Sequence, residues 1–217
     1  MSGVARATGE IDAVLFDFGG VVLSSPFEAF ARHEAAYGLP PGFIRDLNAT
    51  NPDTNAWARL ERSELDIPGF VEVFESEARR AGHSIDALAV LGLLAGEVRP
   101  QMLEAIDRIL AGGFRTALLT NNIIGSVEAA DPAMASVLAR FEVVVESSKV
   151  GVRKPDPRFY EIACEMLSLD PARAVFLDDL GVNLKPARSM GMHTIKVADP
   201  DEALSELEHV LGLPLRP

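Results

Sequence analysis

Five short apolar runs separated by stripes of helical period constrain this chain more than any other feature. The runs are Ala13 to Phe16, Thr116 to Leu119, Val143 to Val145, Val175 to Leu177 and Thr194 to Val197. Strands that alternate with helices in this way predict an α/β fold, a parallel sheet covered by helices. Three stripes supply the covering faces: Met102, Ile106, Ile109 and Leu110; Phe159, Ile162, Ala163, Met166 and Leu167; and Leu204, Leu207, Val210 and Leu211. Each repeats at helical spacing, so each buries one side of a helix against the sheet.

Residues 24–98 break this alternation. They contain no comparable β-type run and are rich in Ala, Glu, Arg and Leu. We expect a helical subdomain there, inserted into a core made of 11–23 and 99–217, with helices at Phe27 to Tyr37, Pro41 to Asn48, Asn55 to Glu61, Ile67 to Ala81 and Ile85 to Ala95. Gly38-Leu39-Pro40-Pro41 and Arg80-Ala81-Gly82 punctuate them. Because the segment leaves directly after the first strand, it sits beside the carboxyl ends of the strands, where open α/β sheets bind ligands. It is therefore expected to act as a cap. Residues 1–10 and the tail from Leu213 to Pro217 are expected to be disordered.

The composition excludes several classes of partner. With 20 Lys and Arg against 32 Asp and Glu, the net charge of -12 argues against a nucleic-acid binder, which needs a basic face to displace counterions. No apolar run approaches the roughly 18 to 20 residues of a membrane span, and Met1 to Glu10 has no secretory apolar core, so a cytoplasmic protein is expected. The single cysteine, Cys164, lies in a helical pattern and reads as a packed core thiol in a reducing compartment. Oligomeric state is left open by the sequence.

Chemistry gathers where the strands end. Asp17 follows the first strand, Thr120-Asn121-Asn122 the second, Lys154 comes after the third and Asp178-Asp179 follow the fourth. A parallel sheet brings these to one rim, giving carboxylates for a divalent cation or for nucleophilic attack, a hydroxyl and amides for phosphoryl oxygens, and an ammonium to neutralise charge. Taken singly, Asp17 could cap a turn, Thr120 and Asn121 could satisfy loop backbone, and Lys154 could be a solvated cation before Pro155 in the first turn of a helix. Adjacent Asp178 and Asp179 are harder to explain that way, because they repel unless a cation or hydrogen bonds hold them.

With Phe176-Leu177-Asp178-Asp179-Leu180-Gly181-Val182-Asn183-Leu184-Lys185-Pro186-Ala187-Arg188 as its most specific stretch, the chain resembles the haloacid-dehalogenase (HAD) superfamily of aspartate-nucleophile hydrolases. The likeness is greatest to the N-terminal phosphatase domain of soluble epoxide hydrolases and to related domains of acyl-CoA dehydrogenase-like multidomain proteins. Trp57-Ala58-Arg59-Leu60-Glu61-Arg62-Ser63-Glu64-Leu65 resembles that group's first-position (C1-type) cap. The resemblance implies a Rossmann-like core with an all-helical cap and a Mg²⁺-dependent phosphatase acting on a small phosphorylated substrate. It makes Asp17 the nucleophile and a metal ligand, with the Gly19 carbonyl and Asp179 as further ligands. It gives Thr120 and the Asn121 amide to the phosphoryl oxygens, Lys154 to charge neutralisation, and Asp178 and Asn183 to organising the metal's surroundings.

One position departs from the pattern. Superfamily phosphatases carry aspartate two residues after the nucleophile as general acid and base, and here that residue is Gly19. Losing such a group removes about 10² to 10⁴ in rate, so weak or selective activity is expected, least impaired for leaving groups stable as anions. A non-catalytic phosphate-ligand sensor or interaction domain is the alternative. A metal-free 2-haloacid dehalogenase fits less well, because it carries Ser and Asn near the fourth motif and an aromatic residue where Gly19 stands. His33, Arg45, Trp57 and Arg59 are candidate linings of the cap pocket, with a surface or packing role as the commoner alternative for each, and Arg153 could assist an anionic substrate, though a solvated loop cation is the commoner reading.

Overall fold

The computed structural model describes residues 11–123 and 132–216. Residues 1–10 and Pro217 lie outside them. The described residues form five strands, β1 (Ala13–Phe16), β2 (Arg115–Thr120), β3 (Val143–Glu146), β4 (Ala174–Asp178) and β5 (His193–Lys196). Eleven helices accompany them. Five fall between β1 and β2 in the inserted segment: α1 (Phe27–Tyr37), α2 (Phe43–Ala49), α3 (Ala56–Glu61), α4 (Ile67–Arg80) and α5 (Ala87–Gly92). The others are α6 (Pro100–Ala111), α7 (Pro132–Leu138), α8 (Ser147–Val150), α9 (Pro157–Leu167), α10 (Gly181–Ser189) and α11 (Pro200–Leu211).

The strands lie in the order β3-β2-β1-β4-β5, and every neighbouring pair is parallel. β1 is central and buried throughout. Its side chains alternate between two cores: Val14 and Phe16 pack with Met102, Ile106, Leu204 and Leu207, whereas Ala13 and Leu15 pack with Phe159, Tyr160, Ala163 and Leu184. Helices α6 and α11 thus cover one face and α9 and α10 the other, as a parallel sheet requires. The chain proceeds outward from β1 through β2 to β3 and then returns to place β4 on the other side of β1. That reversal opens the crevice at the carboxyl ends of β1 and β4, the place where such sheets take ligands.

The inserted helices have a core of their own, including Phe30, Ile44, Trp57, Leu60, Phe70 and Phe74. Trp57 meets Phe70 and Phe74 edge to face, with ring centroids 5.1 and 5.9 Å away. One polar group organises the turn between α1 and α2. Glu34 is buried on α1, and its carboxylate accepts hydrogen bonds from the backbone N–H groups of Gly42 (2.7 Å) and Ile44 (2.9 Å) at the start of α2. Those are donors that the helix itself leaves unmatched.

Element ends differ from the sequence expectation in ways that have local causes. β2, β3 and β4 run on to Thr120, Glu146 and Asp178 because ladder pairing continues past the last apolar side chain, whereas β5 spans 193–196 rather than 194–197 because its pairing with β4 begins at His193 and ends at Lys196. Helix α5 covers only 87–92, since the Asp86 side chain accepts from the Ala89 N–H and starts the helix there. It is Pro157, not Pro155, that occupies the first turn of α9, behind the capping side chain of Asp156. Helices α7 and α8 carried too little periodic signal to be expected. The tail corrects a further expectation: Leu215 is buried, and the N–H groups of Leu215 and Arg216 donate to Glu208 of α11. Cys164 is a core thiol, pushed up to about 11 chiefly by burial, which keeps it protonated and unreactive at neutral pH.

Replacing Glu34 by Ala strands the buried Ile44 N–H and the half-buried Gly42 N–H. We expect a loss of about 1–3 kcal/mol in folding stability, measured by urea denaturation.

Candidate active site

Lys154 is the centre of the site. Its side chain is 1% exposed, and its ammonium lies 2.7 Å from Asp17 Oδ1 and 2.8 Å from Asp178 Oδ2. The same cation stands 5.6 Å from the centroid of the Phe176 ring, beneath the sheet rim. Its backbone is fixed as firmly as its side chain. The Asn121 side chain accepts from the Lys154 N–H (2.8 Å) and donates to the Lys154 carbonyl (3.0 Å), a reciprocal clamp across two loops.

Each carboxylate is held differently. Asp17 Oδ1 also accepts from the Phe18 N–H at 2.6 Å, so one oxygen is restrained from two sides. Asp178 is wholly buried and accepts from the Leu180 N–H (2.8 Å), from Asn183 Nδ2 (3.0 and 3.1 Å) and from Lys154. Asn183 is in turn anchored through its carbonyl by the Tyr160 hydroxyl at 2.6 Å. Asp179 lies at the crevice and is partly exposed.

Oxygens of Asp17, Asp178 and Asp179 lie within 4.8 Å of one another. One ammonium among three carboxylates leaves an excess of negative charge, and the acids respond. Burial, helped by Asp178, lifts Asp179 to about 6. Burial also holds Asp17 above the ordinary carboxylate range despite the opposing pull of Lys154. For Lys154 burial acts downward, but Asp17 and Asp178 outweigh it and keep the ammonium charged. A divalent cation with a preference for hard oxygen donors fits this cluster in charge and in ligand type. Asp178 has its oxygens engaged by protein donors, which leaves Asp17 and Asp179 as the freer carboxylates.

Two glycines shape the approach. Gly20 has φ +82°, and a Cβ there would lie 2.4 Å from Asp179 Oδ2, so only glycine lets Asp179 occupy its position. Sequence reading did not assign this residue, though the second glycine after Asp17 was its signal. Gly19, whose backbone bridges to Leu23, has nothing within 4 Å of where a Cβ would stand. The place a side chain at position 19 would take is open space.

The structure therefore brings Asp17, Asn121, Lys154, Asp178, Asp179 and Asn183 together. Thr120 is buried at the end of β2, its hydroxyl only 3.4 Å from the Asn121 carbonyl. Beneath this loop is a network that the sequence did not reveal: Asn122 donates to Glu146 (2.8 Å), and its backbone N–H donates to Ser147 (3.0 Å). The proposed cap linings are spent elsewhere. Trp57 is core, His33 stacks on Tyr37, and Arg59 lies 3.9 Å from Glu64. No role at the site emerges for Arg45, which is exposed. Arg153 is not a free cation, since it pairs with Glu61 at 2.6 Å. Two surface depressions of about 400 and 470 Å³ lie beside α9 and α10, away from these carboxylates.

A Rossmann-like parallel sheet with an aspartate at the end of its central strand defines the class. The chain belongs to the haloacid dehalogenase-like hydrolases, whose family pattern it matches over residues 11–191. It is 39% identical over 208 residues to acyl-CoA dehydrogenase family member 10 of Mus musculus, covering 94% of this chain and 19% of that protein. It is 33% identical over 217 residues to bifunctional epoxide hydrolase 2 of Sus scrofa, covering 94% of this chain and 39% of that one. The chain thus spans well under half the length of these two relatives. A Mycobacterium tuberculosis phosphatase is 27% identical over 194 residues, 86% of this chain and 87% of its own length.

Solved structures repeat the fold. A predicted HAD-like hydrolase from Porphyromonas gingivalis superposes with a TM-score of 0.67 at 21% identity, over 91% of this chain and 97% of that one. A Bacteroides thetaiotaomicron HAD enzyme in complex with magnesium and inorganic phosphate gives 0.59 at 18% identity, over 86% and 93%. L-2-haloacid dehalogenase from Xanthobacter autotrophicus gives 0.57 at 19% identity, over 95% and 85%.

Two outcomes test the electrostatics and the backbone. In the folded protein Asp179 binds its proton more tightly than in the unfolded chain, so without metal its ionisation costs stability above pH 6 and the cost vanishes as the acid protonates. Asp179→Asn should therefore be more stable than the parent in chelator at pH 8, with the difference shrinking as pH falls below 6, measured by thermal melts. Gly20→Ala should lose about 1–2 kcal/mol in urea denaturation, from the positive φ alone.

Proposed function

We propose that this protein is a Mg²⁺-dependent phosphatase that hydrolyses a small phosphorylated metabolite through an aspartyl-phosphate on Asp17. The observation that carries this reading is the Lys154 ammonium shared by Asp17 and Asp178, with Asp179 alongside. With Asp17 Oδ1 held by Lys154 and Phe18, Oδ2 is the oxygen we assign to attack phosphorus. The bond to the leaving oxygen breaks as the Asp17–phosphorus bond forms, and water then cleaves the acyl phosphate to return the carboxylate and inorganic phosphate. Thr120 and the Asn121 backbone amide hold phosphoryl oxygens, and Lys154 neutralises charge. These are the positioning and electrostatic tasks that phosphoryl transfer sets a protein.

Asp17, the Gly19 carbonyl and Asp179 would hold Mg²⁺, with Asp178 and Asn183 orienting them. The metal, when bound, supplies charge neutralisation at the transferring phosphoryl group. Residues 24–98 serve as the cap and 11–23 with 99–217 as the core. With no side chain at position 19, the leaving oxygen takes its proton from solvent, which favours phosphates whose leaving group is stable as an anion. A cytoplasmic setting with no nucleic-acid partner suits the acidic composition. No helix among the described residues is long and apolar enough to cross a membrane. The bare Gly19 also favours a second reading, a phosphate-ligand sensor that binds without turnover.

Phosphate release from activated and unactivated phosphomonoesters, with and without Mg²⁺, separates the two. Turnover by the parent protein should require Mg²⁺ and disappear in Asp17→Asn. Gly19→Asp, which enters open space, should raise kcat on unactivated esters by about 10²-fold, the lower end of what a placed general acid contributes. Binding of phosphate without turnover in any variant establishes the sensor instead.

A further inference from the structure

The helical insertion touches the core far from the linkers that join them. Those linkers, before α1 and after α5, are zipped together: Ser24 N–H donates to the Glu97 carbonyl (2.8 Å), Arg99 N–H to the Val22 carbonyl (2.9 Å), and Leu23 bridges antiparallel to Val98. A second attachment is made by α3 at the loops following β3. There Arg153 Nε meets Glu61 Oε2 at 2.6 Å, and Arg153 also donates to the Pro52 carbonyl at 3.0 Å. The Ser63 hydroxyl donates to the Ser148 carbonyl of α8 at 2.8 Å.

The two ends of the Arg153–Glu61 pair are shut off from solvent at the contacting atoms, although both side chains retain some exposure, 22% and 15%. An ion pair placed in a dry contact adds little net stability against apolar packing, yet losing one partner leaves a charge buried and unmatched. Such a pair sets geometry more than it adds strength. Its position is informative. Arg153 reaches the insertion, and the next residue, Lys154, reaches Asp17 and Asp178. The field of Lys154 extends to Glu61, whose carboxyl burial raises and whose proton affinity Arg153 and then Lys154 reduce.

We propose that Glu61 and Arg153 are positioning residues: the pair seats α3 on the core and, through the 153–154 backbone, holds Lys154 between Asp17 and Asp178. Its catalytic consequence rests on the phosphatase reading, but its structural consequence does not. With the pair broken, the insertion keeps its zipped linkers and the Ser63–Ser148 contact, and the backbone of Lys154 relies on the Asn121 clamp.

Trp57, the one tryptophan of the chain, lies on α3 one turn before Glu61 and reports on this seat directly. The experiment compares the parent protein with Glu61→Gln, Arg153→Ala, Arg153→Lys and the exchanged pair Glu61→Arg with Arg153→Glu. It measures acrylamide quenching of Trp57, amide exchange over 52–63 and 151–155, and kcat and KM for p-nitrophenyl phosphate with Mg²⁺. In Glu61→Gln and Arg153→Ala we expect quenching to rise about twofold and exchange in both segments to quicken about tenfold, as a local opening becomes easier. We expect kcat to fall about tenfold with KM changed less, because Lys154 acts mainly in the transition state. Arg153→Lys and the exchanged pair should each recover part of both effects.

Quenching and exchange at parental rates in Glu61→Gln and Arg153→Ala would overturn the proposal. So would faster exchange confined to 52–63, since Lys154 would then be positioned without the pair. Should Arg153→Ala fail to fold, Glu61→Gln keeps the shape of the contact and decides alone. If the parent protein releases no phosphate, the phosphatase reading fails while quenching and exchange still decide this inference.

Discussion

A single buried ammonium shared by two carboxylates holds the site together. Lys154 would lose its charge to burial if it stood alone, and Asp17 and Asp178 would repel if it were absent. Each of these groups is tolerable inside the protein only because of the others. The surrounding hydrogen bonds are consistent with that constraint: Asn121 fixes the backbone of Lys154, Asn183 and Leu180 satisfy Asp178, and Tyr160 steadies Asn183 from below. Asp179 is partly buried beside Asp178, and burial first and that neighbouring charge second lift its carboxyl to about 6.

The parallel sheet makes the arrangement available. Asp17 and Asp178 are far apart in the chain, yet β1 and β4 are hydrogen-bonded neighbours with Phe16 opposite Leu177, so the residues that follow Phe16 and Leu177 meet. β2 contributes Thr120 and Asn121 from the other side of β1. The backbone must also clear the space between them, which is why Gly20 faces Asp179 without a Cβ. At Gly19 no comparable steric demand exists, so its glycine reflects chemistry or turn geometry rather than crowding.

Much of the fold was legible because burial on both faces imposes continuous apolar runs. All five strands were readable in this way, and α1, read from the helical composition of the insertion and its Gly-Leu-Pro-Pro stop, came with its end residues. The helices α7, α8 and α10 and the ends of α5 were not, since capping and tertiary contacts, not periodicity, define them. The site showed a similar division. Polar and charged groups at or beyond strand ends marked Asp17, Thr120, Asn121, Lys154, Asp178 and Asp179, whereas the supports Glu146, Ser147 and Tyr160 looked like any polar or aromatic residue until their partners were in place.

Arg153 illustrates where sequence stops. Its type and its neighbour Lys154 suggested a cation free for solvent or for a substrate, but folding brings Glu61 of the insertion to within 2.6 Å and commits it. The sequence by itself determined the α/β class, the inserted helices and the set of groups that could do chemistry, because those depend on local hydrophobic period and residue type. Only the tertiary structure decided which charges neutralise one another, which glycine is sterically required and which cation is already paired. Electrostatic and steric contacts depend on distances between chain-remote atoms, and a linear pattern carries no such distances.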